Sequence, residues 1–170
     1  MQLRSPAFAD GEGLPRPFTA DGDNLSPPLQ WSDLPAGTAS LALLMDDPDA
    51  PGGTWIHWVL FNLPPDLPGL PAGLPPAAVV TEAGNARHGR CWGVNSFTRL
   101  GYQGPQPPPG PAHRYRFQLV ALDRTLGCEP GSDPHALLAA MAGHRLAQAQ
   151  LTARYGSRPA AGSRTRPRPS

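Results

Sequence analysis

Two proline-dense stretches, LPPDLPGLPAGLPP at residues 63 to 76 and GPQPPPGP at 104 to 111, set the tightest limit on what this chain can fold into. Each proline fixes φ at about −65° and removes a backbone donor, so neither stretch can run through the middle of a helix or a sheet. Ordered elements must lie between these connectors. Strand-like segments do lie there, bounded by turn residues, at roughly 3 to 8, 40 to 46, 54 to 63, 93 to 97 and 113 to 123. This spacing predicts a mostly β domain, a β-sandwich or a related architecture, rather than a regular βαβ repeat.

Proline (24) and glycine (19) together make up a quarter of the 170 residues, a share that would suit a low-complexity chain if apolar runs were missing. They are present in SLALLM (40 to 45) and WVLFNL (58 to 63), so an ordered, loop-rich domain with one core is expected. One helix is predicted to close the body: Asp133 caps it, Pro134 takes its first position and Gly156 ends it. Leu138, Ala142, Leu146, Ala149 and Ala153 then form an apolar stripe at three- and four-residue spacing. No internal repeat is evident.

All fourteen basic residues are arginine, and Arg158, Arg164, Arg166 and Arg168 fall in the last thirteen positions. Without them the body has ten basic against thirteen acidic residues, which excludes a nucleic-acid surface. The chain divides into a domain over 1 to 156 and an Arg/Pro-rich tail over 157 to 170, expected to be disordered and solvated. The first residues lack an apolar signal region, and no run approaches the ~18 apolar residues of a membrane span. A cytoplasmic protein with no integral membrane association is the resulting expectation. Cys91 and Cys128 have no cysteine neighbours, so a zinc cluster is not expected and reduced thiols are.

The period-2 rule puts His113, Tyr115, Phe117 and Leu119 on one face of HRYRFQLVALD (113 to 123), with Arg114, Arg116 and Gln118 on the other. It aligns Trp55 with His57 in TWIHWVLFN (54 to 62). If residues 41 to 46 and 54 to 62 pair across the DDPDAPGG loop, Asp47 approaches His57 at a sheet end, and His113 enters its strand from a proline-rich loop. The expected result is a small polar pocket with two imidazoles, a carboxylate, a phenol and aromatic walls. There Asp47 either orients and charges a histidine or receives the cationic end of a zwitterionic ligand. Backbone N–H groups around Gly104 or Gly110 are candidate extra donors. Trp55 and Trp58 read individually as core residues. Asp46, Asp47 and Asp49 resemble a calcium loop only superficially, because prolines intervene and no downstream Glu follows.

FTADGDNLSPPLQW (18 to 31), DDPDAPGGTWIHWVLFNLP (46 to 64), WGVNSF (92 to 97), GYQGPQPPPGPAHRY (101 to 115) and the closing helix together resemble the phosphatidylethanolamine-binding protein family, specifically its bacterial Raf-kinase-inhibitor-like branch. The likeness runs over about residues 3 to 156. It implies a β-sandwich in which a large central antiparallel sheet packs on a smaller one, with a peripheral C-terminal helix. It also implies an anion pocket that accepts phosphate, acetate or a phospholipid headgroup without a cofactor. Carried over motif by motif, Asp47, His57, His113 and Tyr115 are the pocket groups, Pro51 and Trp55 its walls, and Gly104 lies near the anion. Ala20 and Gln106 stand where the branch has cysteines in FTCDG and GPCPP, which argues against a disulfide at that rim. In animals the family regulates kinases, so a protein partner and a kinase-inhibitor-like role are the finer expectations, and a homodimer is left open. The alternative from a different class is a metal-dependent phosphoester hydrolase using two His and one Asp. A Ser hydrolase lacks its Gly-x-Ser-x-Gly element, and the absence of lysine excludes a Walker A loop and a Schiff base.

Overall fold

A computed structural model describes residues 1–91 and 99–157. The strand expected at 93 to 97 and the tail from 158 onward lie outside the described residues. Among those described, nine strands and one α-helix form: β1 (Gln2–Arg4), β2 (Leu29–Ser32), β3 (Ser40–Asp47), β4 (Trp55–Leu63), β5 (Gly69–Leu70), β6 (Val79–Val80), β7 (Ala86–His88), β8 (His113–Leu122), α1 (Pro134–Met141) and β9 (Arg145–Tyr155). They build a large sheet of order β6-β7-β4-β3-β8-β9 and a small one of order β1-β2-β5, with every pair antiparallel. This is the mostly β, two-sheet architecture with a peripheral helix that the sequence predicts.

The large sheet has two buried faces, which explains why SLALLM is a continuous apolar run rather than an alternating one. On one face Leu41, Leu43 and Met45 of β3 pack with Trp58 and Leu60 of β4 and with Phe117 and Leu119 of β8, against Leu3, Leu29 and Trp31 of the small sheet. On the other, Ala42, Leu44, Val59, Phe61 and Val120 are covered by Leu126 and by Leu137 and Met141 of α1. Every residue of β3 is buried. The proline connector of 63 to 76 contributes only the two-residue strand β5, at an edge of the small sheet.

The closing helix is shorter than its periodicity suggests. Asp133 does cap α1, its side chain accepting from the His135 N–H at 2.8 Å, and Pro134 is the first residue. The helix then ends at Met141, Gly143 adopts φ +77°, and residues 145 to 155 form β9 instead of a second half of the helix. RLAQAQLTARY satisfies both periods: the 3.6 pattern picks out Leu146, Ala149 and Ala153, and the 2.0 pattern picks out Ala147, Ala149, Leu151 and Ala153. Pairing decides for the strand. Ten residues of β9 lie in register with β8, from His113↔Tyr155 to Leu122↔Arg145, and without them β8 would be an exposed edge. Leu138 and Leu146 of the expected stripe are accordingly exposed, and Pro134, Leu137 and Met141 form the buried helix face.

One buried histidine outside the cavity described below couples the core to pH. His88 is completely buried; its Nδ1–H donates to the Ala77 carbonyl at 2.6 Å and its Nε2 accepts from the Trp58 indole N–H at 3.1 Å. Both ring nitrogens are satisfied only in the neutral form, and burial holds the pKa below the ordinary histidine value. Because the folded pKa is depressed, the unfolded chain binds more protons once the pH drops below about 6.5, and stability falls with it. The urea midpoint should therefore be flat between pH 8 and 7 and decline from about 6.5 downward, with a smaller decline in His88→Gln; His57, also depressed, accounts for what remains. Replacing Gly143 by Ala puts a side chain at positive φ, where it meets nothing within 4 Å. A loss of about 1 kcal/mol is expected, with an unchanged far-UV circular dichroism spectrum, since the pairing of β9 and not Gly143 keeps 145 to 155 out of a helix.

Candidate functional site: a cavity where three strand ends meet

Antiparallel pairing of β3 with both β4 and β8 brings the end of β3, the start of β4 and the start of β8 to one border of the large sheet. Asp47 lies opposite Trp55 in register, and Asp46 opposite both Ile56 and Arg116. The connection from β3 to β4 turns back through Gly52 (φ +83°) and Gly53 (φ +129°), conformations that side-chain-bearing residues rarely adopt. The DDPDAPGG stretch is thus the turn that sets Asp47 beside the histidines.

Alternation along β8 then divides the charged groups. Arg114 and Arg116 point away from the cavity face and clamp the acids of the β3 end: Arg114 grips Asp49 with Nε at 2.9 Å and Nη2 at 2.8 Å, while its backbone N–H donates to the same carboxylate at 2.9 Å. These bonds hold Asp49 well below the usual carboxylate range. Arg116 holds Asp46 at 2.8 and 2.7 Å, and Gln118 adds a bond at 3.1 Å. Asp46 and Asp49 are thus held by β8: Asp46 by the side chains of Arg116 and Gln118, Asp49 by the side chain and backbone N–H of Arg114.

On the other face, the strand ends and the proline-rich loop enclose a cavity of about 360 Å³. All seven residues singled out from the sequence line it: Asp47, Pro51, Trp55, His57, Gly104, His113 and Tyr115. Asp47, only 3% exposed, is the central group. Its Oδ2 accepts from His113 Nδ1–H at 2.8 Å and its Oδ1 from the Asp49 N–H at 2.9 Å, and the Tyr115 hydroxyl also bonds to it. Burial, followed by the negative charge of Asp47, drives the Tyr115 hydroxyl far above its ordinary pKa, so the phenol keeps its proton.

Asp47 therefore orients His113, not His57. The ring of His57 is oriented by backbone: its Nδ1–H donates to the Gln103 carbonyl at 2.8 Å, while the Gln103 N–H returns a bond to the His57 carbonyl at 2.9 Å. Burial, the largest influence, lowers the pKa of His57; the Gln103 carbonyl and the charges of Asp47 and Asp46 oppose that and are outweighed. Tyr115 packs between the two histidines, with ring centroids 5.3 Å from His57 edge-on and 6.4 Å from His113 stacked, and Trp55 stands 6.2 Å from His57. Trp58 is fully buried core, whereas Trp55 is a cavity wall.

Two expectations about donors are corrected. The Gly104 N–H is consumed by Asn24 Oδ1 at 2.7 Å, and Gly110 does not line the cavity. Gly104 is needed for space: a Cβ there would stand 2.7 Å from Asn24 Oδ1 and 2.8 Å from the Ala20 nitrogen. Asp47 is 3% exposed and already accepts from His113 and the Asp49 N–H, so its burial and these bonds, not an open carboxylate, define its place in the cavity. Sequence reasoning missed Gln103, Asn24 and the walls Ala50, Pro107 and Pro108. Only the loop's path across β4 brings Gln103 to His57, and no motif spacing announces it. Ala20 and Gln106, noted as departures at two cysteine positions, both lie on the cavity wall, and Gln106 donates to Asp21 at 3.0 Å. Neither Cys91 nor Cys128 is in a disulfide, and burial pushes the Cys91 thiol up to about 12. Among the described residues no three His, Cys, Asp or Glu side chains are grouped to hold a metal, so the two-His-one-Asp alternative gains no support.

A family profile described as phosphatidylethanolamine-binding protein matches residues 4–156. A UPF0098 protein of Methanothermobacter thermautotrophicus is 46% identical over 155 residues, covering 91% of this chain and 98% of the relative. A protein of Mycobacterium tuberculosis named as a lipoprotein, LppC, is 38% identical and is 72% covered; in the present chain no described helix is long and apolar enough to cross a membrane. Among solved structures, a phosphatidylethanolamine-binding protein homolog from Chlamydia trachomatis superposes with a TM-score of 0.81 at 36% identity, covering 92% of this chain and 97% of the other. YbcL of Escherichia coli, described as a new member of the mammalian family, gives 0.80 at 30% identity, covering 92% and 98%. With its fold superposed on solved relatives and residues 4–156 matched by the family profile, the chain belongs to the phosphatidylethanolamine-binding protein family.

Proposed function

We propose that this protein is a non-catalytic binding protein whose cavity takes a small oxyanion, a phosphate or carboxylate group of the kind that a phospholipid headgroup or a soluble phosphorylated compound presents. The observation that carries the reading is the pair of buried Asp47 and half-buried His113 set beside His57 and Tyr115 in a cavity of about 360 Å³, large enough for a headgroup and walled by Pro51 and Trp55. Two imidazoles and a phenol supply polar hydrogens or lone pairs, and the remaining walls are mostly apolar. Among the described lining residues there is no Ser, Thr, Cys or Lys, and Asp47 is buried and paired with His113. Nothing in the geometry favours the hydrolase over the binding protein.

Titration calorimetry with inorganic phosphate tests the assignment. His113→Ala removes a ring from the cavity, and Asp47→Asn removes the acceptor charge that fixes that ring, so each should weaken phosphate binding roughly tenfold or more; unchanged affinity in both variants sinks the assignment. Because Asp47 is buried and already paired with His113, phosphoethanolamine should bind within about threefold of methyl phosphate, the amine adding little. Competition between soluble phosphate and phosphatidylethanolamine vesicles in a sedimentation assay then tells a headgroup ligand from a soluble one.

A further inference from the structure

Both histidines of the cavity spend their Nδ1–H inside the protein, His57 on the Gln103 carbonyl and His113 on the Asp47 carboxylate, each at 2.8 Å. A carbonyl or carboxylate oxygen only accepts, so Nδ1 is a protonated nitrogen in both rings. What each ring has left is Nε2. In a neutral imidazole this atom carries a lone pair, which repels an oxyanion; it becomes a donor only when the ring gains a second proton. Among the described residues no other lining group makes up the charge: none of the cavity's described lining residues is an arginine, Arg114 and Arg116 are bound to Asp49 and Asp46 on the opposite face, and the Gly104 N–H is held by Asn24.

The two rings differ in their surroundings. His113 has the Asp47 carboxylate at Nδ1, with Asp49 and Arg114 nearby and Tyr155 of β9 opposite in register. His57, 7% exposed, has only a neutral carbonyl at Nδ1. Facing it are Asp46 and Asp47 from β3, His113 and Tyr115 from β8, and Cys91, whose thiol donates to the His57 carbonyl at 3.2 Å. Burial outweighs the two carboxylates here and leaves the ring neutral.

We propose that His57 takes up a proton from solvent as the cavity binds an oxyanion, so that an imidazolium Nε2–H meets the ligand in a cavity whose described lining residues include no arginine or lysine. The inference rests on the oxyanion-binding function proposed above and adds the charge state in which that function operates. No covalent bond changes: one proton passes from water to Nε2 and stays while the anion stays. Affinity then rises as the pH falls, by about tenfold per pH unit where one whole proton is coupled, and it levels off at the pH where His57 is already charged without ligand.

Calorimetry on the full chain at several pH values between 8 and 6.5, each in two buffers of different ionisation enthalpy, measures the proton directly. Acetate and inorganic phosphate are the probes. Acetate is fully ionised over this range, so any uptake with acetate belongs to the protein, whereas phosphate also carries its own proton near neutral pH. Uptake approaching one proton with acetate is expected, with affinity climbing several-fold per pH unit; His57→Gln should reduce the uptake and flatten the pH dependence. The Cε1–H resonance of His57 in the unaltered protein should titrate at higher pH with acetate than without it, which gives the same answer without a substitution. Binding of acetate with no uptake and a flat pH profile overturns the inference while the binding function stands. Uptake with phosphate alone does the same, because the proton then resides on the ligand, and undiminished uptake in His57→Gln moves it to another group. Failure of both anions to bind removes the inference together with the function.

Discussion

A carboxylate that is 3% exposed must find its hydrogen bonds inside the protein, and the way Asp47 does so organises the sheet border around it. Its acceptors are met from β8 by His113 and Tyr115 and from its own turn by the Asp49 N–H. Each partner is fixed by a different part of the fold: the β8 side chains by register with β3, the Asp49 N–H by the glycine turn. Removing one member would leave a buried group without its partner, a cost of the order of 3–5 kcal/mol for buried ion pairs in general. The pair is therefore a registration device for the sheet border.

The neighbouring acids show the same economy of position. Asp46, Asp47 and Asp49 lie within four residues, yet they bind Arg116, His113 and Arg114 respectively, an order set by alternation along β8 and by the antiparallel run of β3. The outer two are neutralised by arginine on the face away from the cavity. Only Asp47 reaches the cavity, and it is met by a histidine. Among its described lining residues the cavity thus has one carboxylate, two imidazole rings and no arginine or lysine.

Much of this was legible along the chain. Period-2 alternation in HRYRFQLVALD separated His113 and Tyr115 from Arg114 and Arg116, and the DDPDAPGG turn between two apolar runs put Asp47 near His57 at one sheet border. Proline density located the connectors. The short strands β5, β6 and β7 were not legible, because two or three residues carry no period. Which histidine Asp47 orients was not legible for a related reason: both rings lie near it, and which one turns its Nδ1–H toward the carboxylate depends on where the Gln103 carbonyl falls.

The sequence by itself determined what is encoded by nearest neighbours on the chain: where backbone donors are missing, which side chains alternate, where a helix begins at Asp133 and Pro134, and which residue types line the cavity. Tertiary structure decided what needs contacts distant in sequence. RLAQAQLTARY fits a helix and a strand equally well by pattern, and it is a strand because β8 offers it ten registered partners and would otherwise be an open edge. His57 and His113 are chemically identical rings, and they differ because one is placed against a carbonyl 46 residues away and the other against a carboxylate 66 residues away. Those two hydrogen bonds, closed only when the chain has folded, fix which ring is neutral and which is paired.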